Sequence, residues 1–325
     1  MADVLISTRK LTKHYAAPGG FFKERLSGRK AVDEVSLDIM RGEVLGLVGE
    51  SGCGKSTLGR MIVRLLPSTA GSILYEGEDI TVGSISKEMR RKVQIVFQDP
   101  FGSLNPWMTV YKLVSEPMKN HNYPKNEIAG RVNLLLDKVG LSQIGLDRYP
   151  HQLSGGQRQR LCIARALSAE PEFLLCDEPV SALDVSIQSQ ILNLLIDLQR
   201  DMGLTYLFIS HSLAVIRNIA DRVVVMYLGR IVEIAPADDF FESPLHPYSR
   251  TLLDAAPVPE VGQNKTKRSA VLGEATLSGA PEGGCEYYPR CPRHRDVCAE
   301  TRPDLKKFDN GRSCACHQVE VVLCS

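Results

Sequence analysis

The chain carries a glycine-rich segment whose residue types and spacing suit the binding of a phosphate group. Residues 49–57 read Gly-Glu-Ser-Gly-Cys-Gly-Lys-Ser-Thr, which satisfies the pattern Gly-x4-Gly-Lys-Ser/Thr. In such a loop the backbone N–H groups and the N-terminus of the following helix point partial positive charge at phosphate oxygens. We expect Lys55 to reach the β- and γ-phosphates of ATP and the Ser56 hydroxyl to bind Mg²⁺. The predicted nucleotide contacts are Gly49, Ser51, Gly52, Gly54, Lys55, Ser56 and Thr57.

The sequence around this loop predicts the elements that must position it. The apolar run 44–48, Val-Leu-Gly-Leu-Val, is typical of a buried parallel strand. After the loop, apolar residues recur at helical spacing, at Leu58, Met61, Ile62 and Leu65. Strand, loop and helix is the order that a phosphate loop requires, which counts against a chance glycine turn.

Three further predicted strands end in side chains suited to phosphoryl chemistry. The run 173–176 is followed by Asp177 and Glu178, which we assign to Mg²⁺ binding through water and to general-base activation of the attacking water. Gln98 follows the run 94–97 and is expected to touch Mg²⁺ and the same water. His211 follows the run 205–209 and is expected to contact the γ-phosphate. The alternatives are an acid-rich helix start, a solvated glutamine and a structural histidine.

Composition limits the classes of function. The chain has 325 residues, with 39 basic and 38 acidic side chains, so nothing in its charge indicates a nucleic-acid partner. No apolar run approaches the roughly 20 residues needed to span a bilayer, and the N-terminal residues do not resemble a signal peptide. These observations predict a cytosolic chain.

Taken together, the motifs resemble those of the ATP-binding subunits of ABC transporters. Residues 153–157, Leu-Ser-Gly-Gly-Gln, match the ABC signature, residues 181–184 match the D-loop, and His211 matches the switch histidine. The resemblance covers residues 1 to about 255. It implies an α/β P-loop NTPase fold with a RecA-like core, an antiparallel β subdomain and a helical ABC subdomain at about residues 99–160, followed by a small Cys-rich C-terminal extension over residues 256–325. One departure is Ser212, where aspartate commonly follows the histidine.

The same resemblance implies how nucleotide is bound. Tyr15 would stack on the adenine of ATP. Two ATPase subunits would pack head to tail, so that the signature of each subunit contacts the nucleotide held by the phosphate loop of the other. The signature residues with this role in trans would be Ser154, Gly155, Gly156 and Gln157.

A finer resemblance is to the oligopeptide/dipeptide importers, carried by residues 49–60, 97–106 and 243–248. It implies an ATPase that energises import of di- or oligopeptides at the cytoplasmic face of the bacterial cell membrane. The implied partners are a second, different ABC ATPase subunit in a heterodimer, two transmembrane permease subunits and an extracytoplasmic substrate-binding protein. The stretch 99–108 would receive the permease coupling helices, with exposed Phe101 and Trp107 as apolar lining or, alternatively, as subdomain core. The alternative functions are import of nickel or another small solute and, in another class, a soluble ABC-type ATPase in translation or repair.

The C-terminal region concentrates cysteines. Residues 257–284 are rich in Pro, Gly and polar residues and are expected to form a linker. Six of the nine cysteines then follow: Cys285, Cys291, Cys298, Cys314, Cys316 and Cys324. In a cytosolic chain this indicates a metal site rather than disulfides, and the wide spacing suits a cluster better than a zinc knuckle. The importer resemblance implies a [4Fe-4S] cluster on Cys285, Cys291, Cys298 and Cys316, with zinc or free thiols as alternatives.

Overall fold

The computed structural model describes residues 3–15, 30–255 and 281–319. Within these ranges the chain forms two β-sheets and several helices. The strands are β1 (Val4–His14), β2 (Lys30–Met40), β3 (Val44–Val48), β4 (Ala70–Tyr75), β5 (Glu78–Asp79), β6 (Val93–Val96), β7 (Phe173–Asp177), β8 (Thr205–Ile209), β9 (Arg222–Tyr227), β10 (Arg230–Pro236), β11 (Lys306–Lys307) and β12 (Ser313–Cys314).

The helices connect these strands and cover the larger sheet. They are α1 (Lys55–Ile62), α2 (Lys87–Lys92), α3 (Pro100–Ser103), α4 (Val110–Asn120), α5 (Lys125–Lys138), α6 (Gly155–Leu167), α7 (Val185–Met202), α8 (Leu213–Ile219), α9 (Ala237–Glu242), α10 (Pro247–Ala255) and α11 (Asp296–Glu300). Short 3₁₀ turns cover Pro150–Gln152, Tyr288–Arg290 and Asp309–Gly311. None of the helices in the described ranges combines the length and the apolar character needed to cross a membrane.

The larger sheet has eight strands in the order β11-β12-β10-β9-β3-β8-β7-β6. The five strands from β9 to β6 run parallel to one another, while β10, β12 and β11 continue the sheet in antiparallel pairs. The smaller sheet is antiparallel, in the order β2-β1-β4-β5. The α/β P-loop fold with an antiparallel subdomain is therefore confirmed, and the last two strands of the larger sheet come from beyond residue 300.

Both faces of the parallel strands are buried, as an α/β sheet requires. In β8, for example, Tyr206 and Phe208 belong to the cluster that the helical region covers, whereas Leu207 and Ile209 belong to the cluster beneath α1 and the smaller sheet. Successive side chains of a strand point to opposite faces. The continuous apolar runs in the sequence thus reflect burial from two sides.

Two predicted helices end elsewhere than expected. Helix α1 stops at Ile62, and Arg64 adopts a left-handed backbone (φ 60°), so Leu65 does not join the apolar face and is exposed. For α7, apolar residues at helical spacing from Ile187 to Leu198 predict a helix over residues 185–199; the helix continues to Met202 and ends at Gly203, which is in the left-handed region. Most of the predicted linker 257–284 lies outside the described residues, as does Cys324.

Candidate active site

The phosphate loop lies at the carboxyl end of the central strand β3, and two glycines are required by its shape. Gly49 has φ 151° and Gly54 has φ 108°. A Cβ at Gly49 would lie 2.2 Å from the Met226 carbonyl oxygen, and one at Gly54 would lie 2.0 Å from that of Ala31. The close approach of neighbouring backbone therefore excludes any side chain at either position.

Lys55 is buried at the first turn of α1 and turns back over the loop. Its Nζ donates hydrogen bonds to the carbonyl oxygens of Gly49, at 2.7 Å, and Glu50, at 2.9 Å. These contacts hold the ammonium group against the backbone of the loop. An anionic phosphate can accept from the same group.

Two of the predicted magnesium ligands meet, one from the first turn of α1 and one from the end of β7. The Ser56 hydroxyl donates to Asp177 Oδ1 at 2.7 Å, and Asp177 is buried at the end of β7. Arg60 lies on the next turn of α1 and reaches the second carboxylate oxygen at 3.3 Å. A hydroxyl and a carboxylate side by side provide the hard oxygen donors that Mg²⁺ takes together with phosphate oxygens.

The three residues predicted to act on water also come together. Glu178 Oε2 accepts from Gln98 Nε2 at 3.1 Å and lies 3.2 Å from His211 Nδ1. Glu178 adopts a left-handed backbone (φ 51°) directly after β7, an unfavourable conformation for a residue with a side chain. Here it aims the carboxylate toward the ends of β6 and β8.

The signature residues and Tyr15 lie apart from this centre. Ser154 caps α6, since its hydroxyl accepts from the Gln157 N–H at 3.2 Å and its own N–H donates to Gln157 Oε1 at 2.9 Å. Gly156 allows α6 to pack against α7, because a Cβ there would lie 2.7 Å from Ile187. In the described part of the chain these hydrogen bonds stay within the helix start. Tyr15 is half-exposed, with Lys13 Nζ 5.5 Å from its ring centre.

The four cysteines that the importer resemblance selects line one small cavity, whose free volume is about 10 Å³. His246, Tyr287, Tyr288 and His317 are among its other lining residues, whereas Cys314 is buried in β12. Burial raises the pKa of Cys285 to about 12 and also raises the pKa of Cys291 and Cys316. Four thiols around one cavity are donors of the type that a thiolate-bound metal takes, whereas the raised pKa values favour the protonated thiols in the absence of a metal.

The size of this cavity fits a cluster less well. Within residues 3–15, 30–255 and 281–319, no three His, Cys, Asp or Glu side chains are grouped as ligands of a metal ion. A volume of about 10 Å³ admits about one water molecule, so a cluster would require the four thiols to move apart. The iron–sulfur prediction gains no further support here.

The sequence reasoning missed three residues that contact the phosphate loop or its surroundings. Glu50 lies within the loop motif but at one of its unspecified positions. Its carboxylate pairs with Arg290, and its N–H donates to the Tyr248 hydroxyl. Of the other two residues, only Tyr248 lies in a segment that the sequence singles out, residues 243–248, and that segment indicates the importer family rather than a contact with the loop.

Comparison with known proteins supports the same assignment. The ABC transporter family matches residues 32–181, and the oligopeptide/dipeptide transporter C-terminal region matches residues 232–298. An oligopeptide transport ATP-binding protein of Bacillus subtilis, AppF, is 45% identical over 320 residues, which are 97% of each chain. A probable peptide ABC transporter ATP-binding protein of Sinorhizobium fredii is 47% identical over 98% of this chain and 90% of its own.

Solved structures of ATP-binding cassettes share the fold. The cbiO1 protein of Clostridium perfringens, part of an ABC transporter complex, has a TM-score of 0.65 at 31% identity, over 74% of this chain and 92% of its own. The cassette MJ0796, solved as a dimer in a post-hydrolysis state with ADP and Pi, has a TM-score of 0.63 at 28% identity, over 72% of this chain and 99% of its own. The chain therefore belongs to the family of ABC transporter ATP-binding proteins and is an ATPase of the oligopeptide and peptide transport group.

Proposed function

We propose that this protein hydrolyses ATP to energise import of di- or oligopeptides through a membrane permease. The observation that carries the proposal is the meeting of Gln98, Glu178 and His211 beside the phosphate loop. This arrangement belongs to a chain whose relatives are named for oligopeptide and peptide transport. The ATPase domain would span residues 1–255, and the extension would span residues 256–325.

Each residue of the site has a role in the proposed hydrolysis. The loop N–H groups and Lys55 would bind the phosphates, while Ser56, Asp177 and Gln98 would hold Mg²⁺, which when bound would supply positive charge to the phosphoryl group. Glu178 accepts a proton from the attacking water, and Gln98 orients that water. His211 lies next to the same carboxylate and donates to the γ-phosphate as charge develops there.

The functional unit would be a head-to-tail dimer with a second, different ATPase subunit. Ser154 is exposed at the N-terminus of the 13-residue helix α6, so its hydroxyl and the N–H groups of Gly155 and Gly156 can bind the γ-phosphate of a nucleotide on the facing subunit. Gln157 keeps the cap in place, and Tyr15 stacks on adenine. Because the closed dimer adds these donors, ATP favours closure and hydrolysis reverses it.

The permease would dock on the stretch 99–108 at the cytoplasmic face of the membrane. Phe101 and Trp107 are exposed there, and the Arg158 guanidinium lies 3.6 Å above the Phe101 ring centre. Exposed aromatic side chains, with an arginine against one of them, are typical of an interface. The remaining partners would be two transmembrane permease subunits and an extracytoplasmic substrate-binding protein.

The experiment that tests this function is purification of the tagged full chain from solubilised membranes, followed by reconstitution of what co-purifies. Uptake of labelled di- and oligopeptides into proteoliposomes, driven by ATP, supports the proposal. Uptake of ⁶³Ni²⁺ but not peptide would replace it with the small-solute alternative. Recovery of ribosomes or repair factors instead of multi-span proteins would contradict transport altogether.

We also propose that Cys285, Cys291, Cys298 and Cys316 hold a [4Fe-4S] cluster. Four thiols around one cavity support it, and metal binding would stabilise the thiolates against the raised pKa values. Anaerobically purified protein should absorb near ~400 nm and contain about four irons per chain. Cys316→Ser should lose the absorbance and Cys314→Ser should keep it, because Cys314 lies outside the cavity. One zinc per colourless chain would support the zinc alternative, and no metal would support free thiols.

A further inference from the structure

A charged residue of the C-terminal extension is bound directly to the phosphate loop. The Arg290 guanidinium donates to both oxygens of the Glu50 carboxylate, at 2.9 and 2.8 Å, although the two residues are 240 positions apart in the chain. Both side chains are about four-fifths buried, at 20% and 18% exposure. A paired, planar contact of this kind fixes direction as well as distance.

Glu50 is also held through its backbone. Its N–H donates to the Tyr248 hydroxyl at 2.9 Å. Its carbonyl oxygen accepts from Lys55 Nζ at 2.9 Å and from the Cys53 N–H at 3.2 Å. One residue thus connects the phosphate-binding lysine with two side chains that come from α10 and from the turn 288–290.

Those two side chains are themselves joined by a cluster of buried tyrosine rings. The Tyr248 ring centre lies 4.6 Å from that of Tyr227 and 5.4 Å from that of Tyr287, and Tyr227 and Tyr287 are 5.3 Å apart. Arg290 contacts the Tyr227 hydroxyl at 3.4 Å. Tilted and edge-on aromatic contacts of this kind form a stiff support, so the two contacts with Glu50 cannot shift independently.

We propose that Arg290 and Tyr248 are positioning residues of the nucleotide site, which set the phosphate loop through Glu50. Arg290 cancels a carboxylate that would otherwise repel ATP phosphates from within the loop. The Tyr248 hydroxyl holds the peptide group between Gly49 and Glu50, and the carbonyl oxygen of that group, from Gly49, accepts from Lys55 Nζ. The residues after the ATPase core are then part of the nucleotide-binding machinery. This inference rests on the assigned phosphate loop and not on peptide transport or on a metal at the cysteines.

The test uses the purified full chain without partners. Dissociation constants for ATP are measured by fluorescence with a labelled analogue and competition, and Tm is measured on the same samples without nucleotide. The variants are Arg290→Gln, Arg290→Lys, Tyr248→Phe, Glu50→Gln and the double variant Glu50→Gln/Arg290→Gln. Arg295→Gln is the matched control, because Arg295 is an exposed arginine of the same extension.

Arg290→Gln should weaken ATP binding about tenfold, because it leaves the buried Glu50 carboxylate unpaired. Arg290→Lys should lose less affinity for ATP than Arg290→Gln, since lysine keeps the positive charge but cannot form the paired contact with both carboxylate oxygens. The double variant should bind ATP better than Arg290→Gln alone, because the repelling charge is gone. Arg295→Gln should bind like the unaltered chain.

Other results would overturn the proposal. ATP affinity within twofold of the unaltered chain in Arg290→Gln would show that the contact does not act on the loop. A lower Tm with weaker binding that the double variant does not restore would show general destabilisation. If Arg290→Gln fails to fold, hydrogen exchange of the amides at 49–54 in Arg290→Lys and Tyr248→Phe decides. Faster exchange there supports the inference, and unchanged exchange contradicts it.

Discussion

The Glu178 carboxylate and the His211 imidazole face each other at the carboxyl ends of neighbouring strands, with Oε2 3.2 Å from Nδ1. The same oxygen accepts from Gln98, so one carboxylate atom after β7 contacts side chains that follow two other strands, β6 and β8. The left-handed backbone of Glu178 brings this about. Strain of this kind persists only where the surrounding structure holds it in place.

Glu178→Gln should therefore lower ATP turnover by about 10²- to 10⁴-fold, because an amide cannot accept the proton of the attacking water. ATP binding should be retained, since no phosphate contact is removed. Steady-state phosphate release and equilibrium ATP binding measure the two effects. Glu88→Gln, at an exposed glutamate on the first turn of α2, is the control and should turn over normally. Near-normal turnover in Glu178→Gln would rule out the general-base role.

Lys55→Ala should weaken ATP binding by roughly thirty- to a hundredfold or more, because a charge-assisted hydrogen bond to phosphate contributes about 2–3 kcal/mol. The buried ammonium already lies over the loop carbonyls, so little rearrangement is needed to bind. Isothermal titration with MgATP measures the change. Lys125→Ala, at the exposed start of α5, should bind as before. Retained tight binding in Lys55→Ala would disprove the assignment of the loop.

The phosphate loop and the group formed by Gln98, Glu178 and His211 could be predicted because their sequence signals are local in the chain. Short buried strands that end at or just before Gly49, Asp177 and His211 place chemistry at the carboxyl end of a parallel sheet, and the structure brings these ends together. The end of α1 could not be predicted in the same way. Leu65 has the correct spacing for the apolar face, but the left-handed backbone at Arg64 turns the chain away before it.

The contact between Arg290 and Glu50 could not be predicted from the sequence, for a different reason. It joins positions 240 residues apart, and neither an arginine in a Cys-rich segment nor a glutamate at an unspecified loop position has a local pattern. Cys316 and Cys314 lie between these two cases, because the sequence identifies both as possible ligands but does not distinguish them by spacing. Both spacings suit a ligand, and only the pairing of β12 with β10 buries Cys314 in the sheet and leaves Cys316 at the cavity.

Trp107→Ala should weaken association with the permease by about thirtyfold, because an aromatic hot-spot residue at an interface contributes about 2 kcal/mol. Its side chain is 86% exposed in the isolated chain, so Tm should be unchanged. Co-purification with permease subunits, quantified against the unaltered chain, measures the effect. Val82→Ala is the control, since Val82 is 89% exposed but lies outside the proposed docking stretch. Equal recovery of the permease with both variants would contradict the docking assignment.

His246 should make the stability of the chain depend on pH. Complete burial lowers the pKa of His246 to about 3, and its Nδ1 accepts from the Tyr248 N–H at 3.0 Å. An unfolded histidine takes up a proton below about pH 6.5, whereas the native one stays neutral until about pH 3. Between these values the unfolded state binds more protons, so the free energy of unfolding falls as the pH falls. The contribution is complete above about pH 6.5 and is lost at up to about 1.4 kcal/mol per pH unit below it.

Charged groups near His246 also influence how stability depends on pH, and their contribution must be distinguished from that of His246. Glu233 accepts from the His246 N–H, and burial raises the pKa of its carboxyl group, so protonation of Glu233 favours the native state in acid and opposes the loss. Arg312 lies 3.8 Å from Glu233. His246→Asn removes the histidine titration but leaves both of these groups. Its amide oxygen can still accept from Tyr248.

His246→Asn should therefore be less stable than the unaltered chain at pH 7.5 but lose less stability on acidification to pH 5.5. The difference between the two losses should be about 1.4 kcal/mol. Urea unfolding of both proteins at the two pH values measures it. His151→Asn is the control, at an exposed histidine that stacks on Tyr149. It should lose as much stability between pH 7.5 and pH 5.5 as the unaltered chain. Equal losses in His246→Asn and the unaltered chain would show that His246 is not the group held neutral by burial.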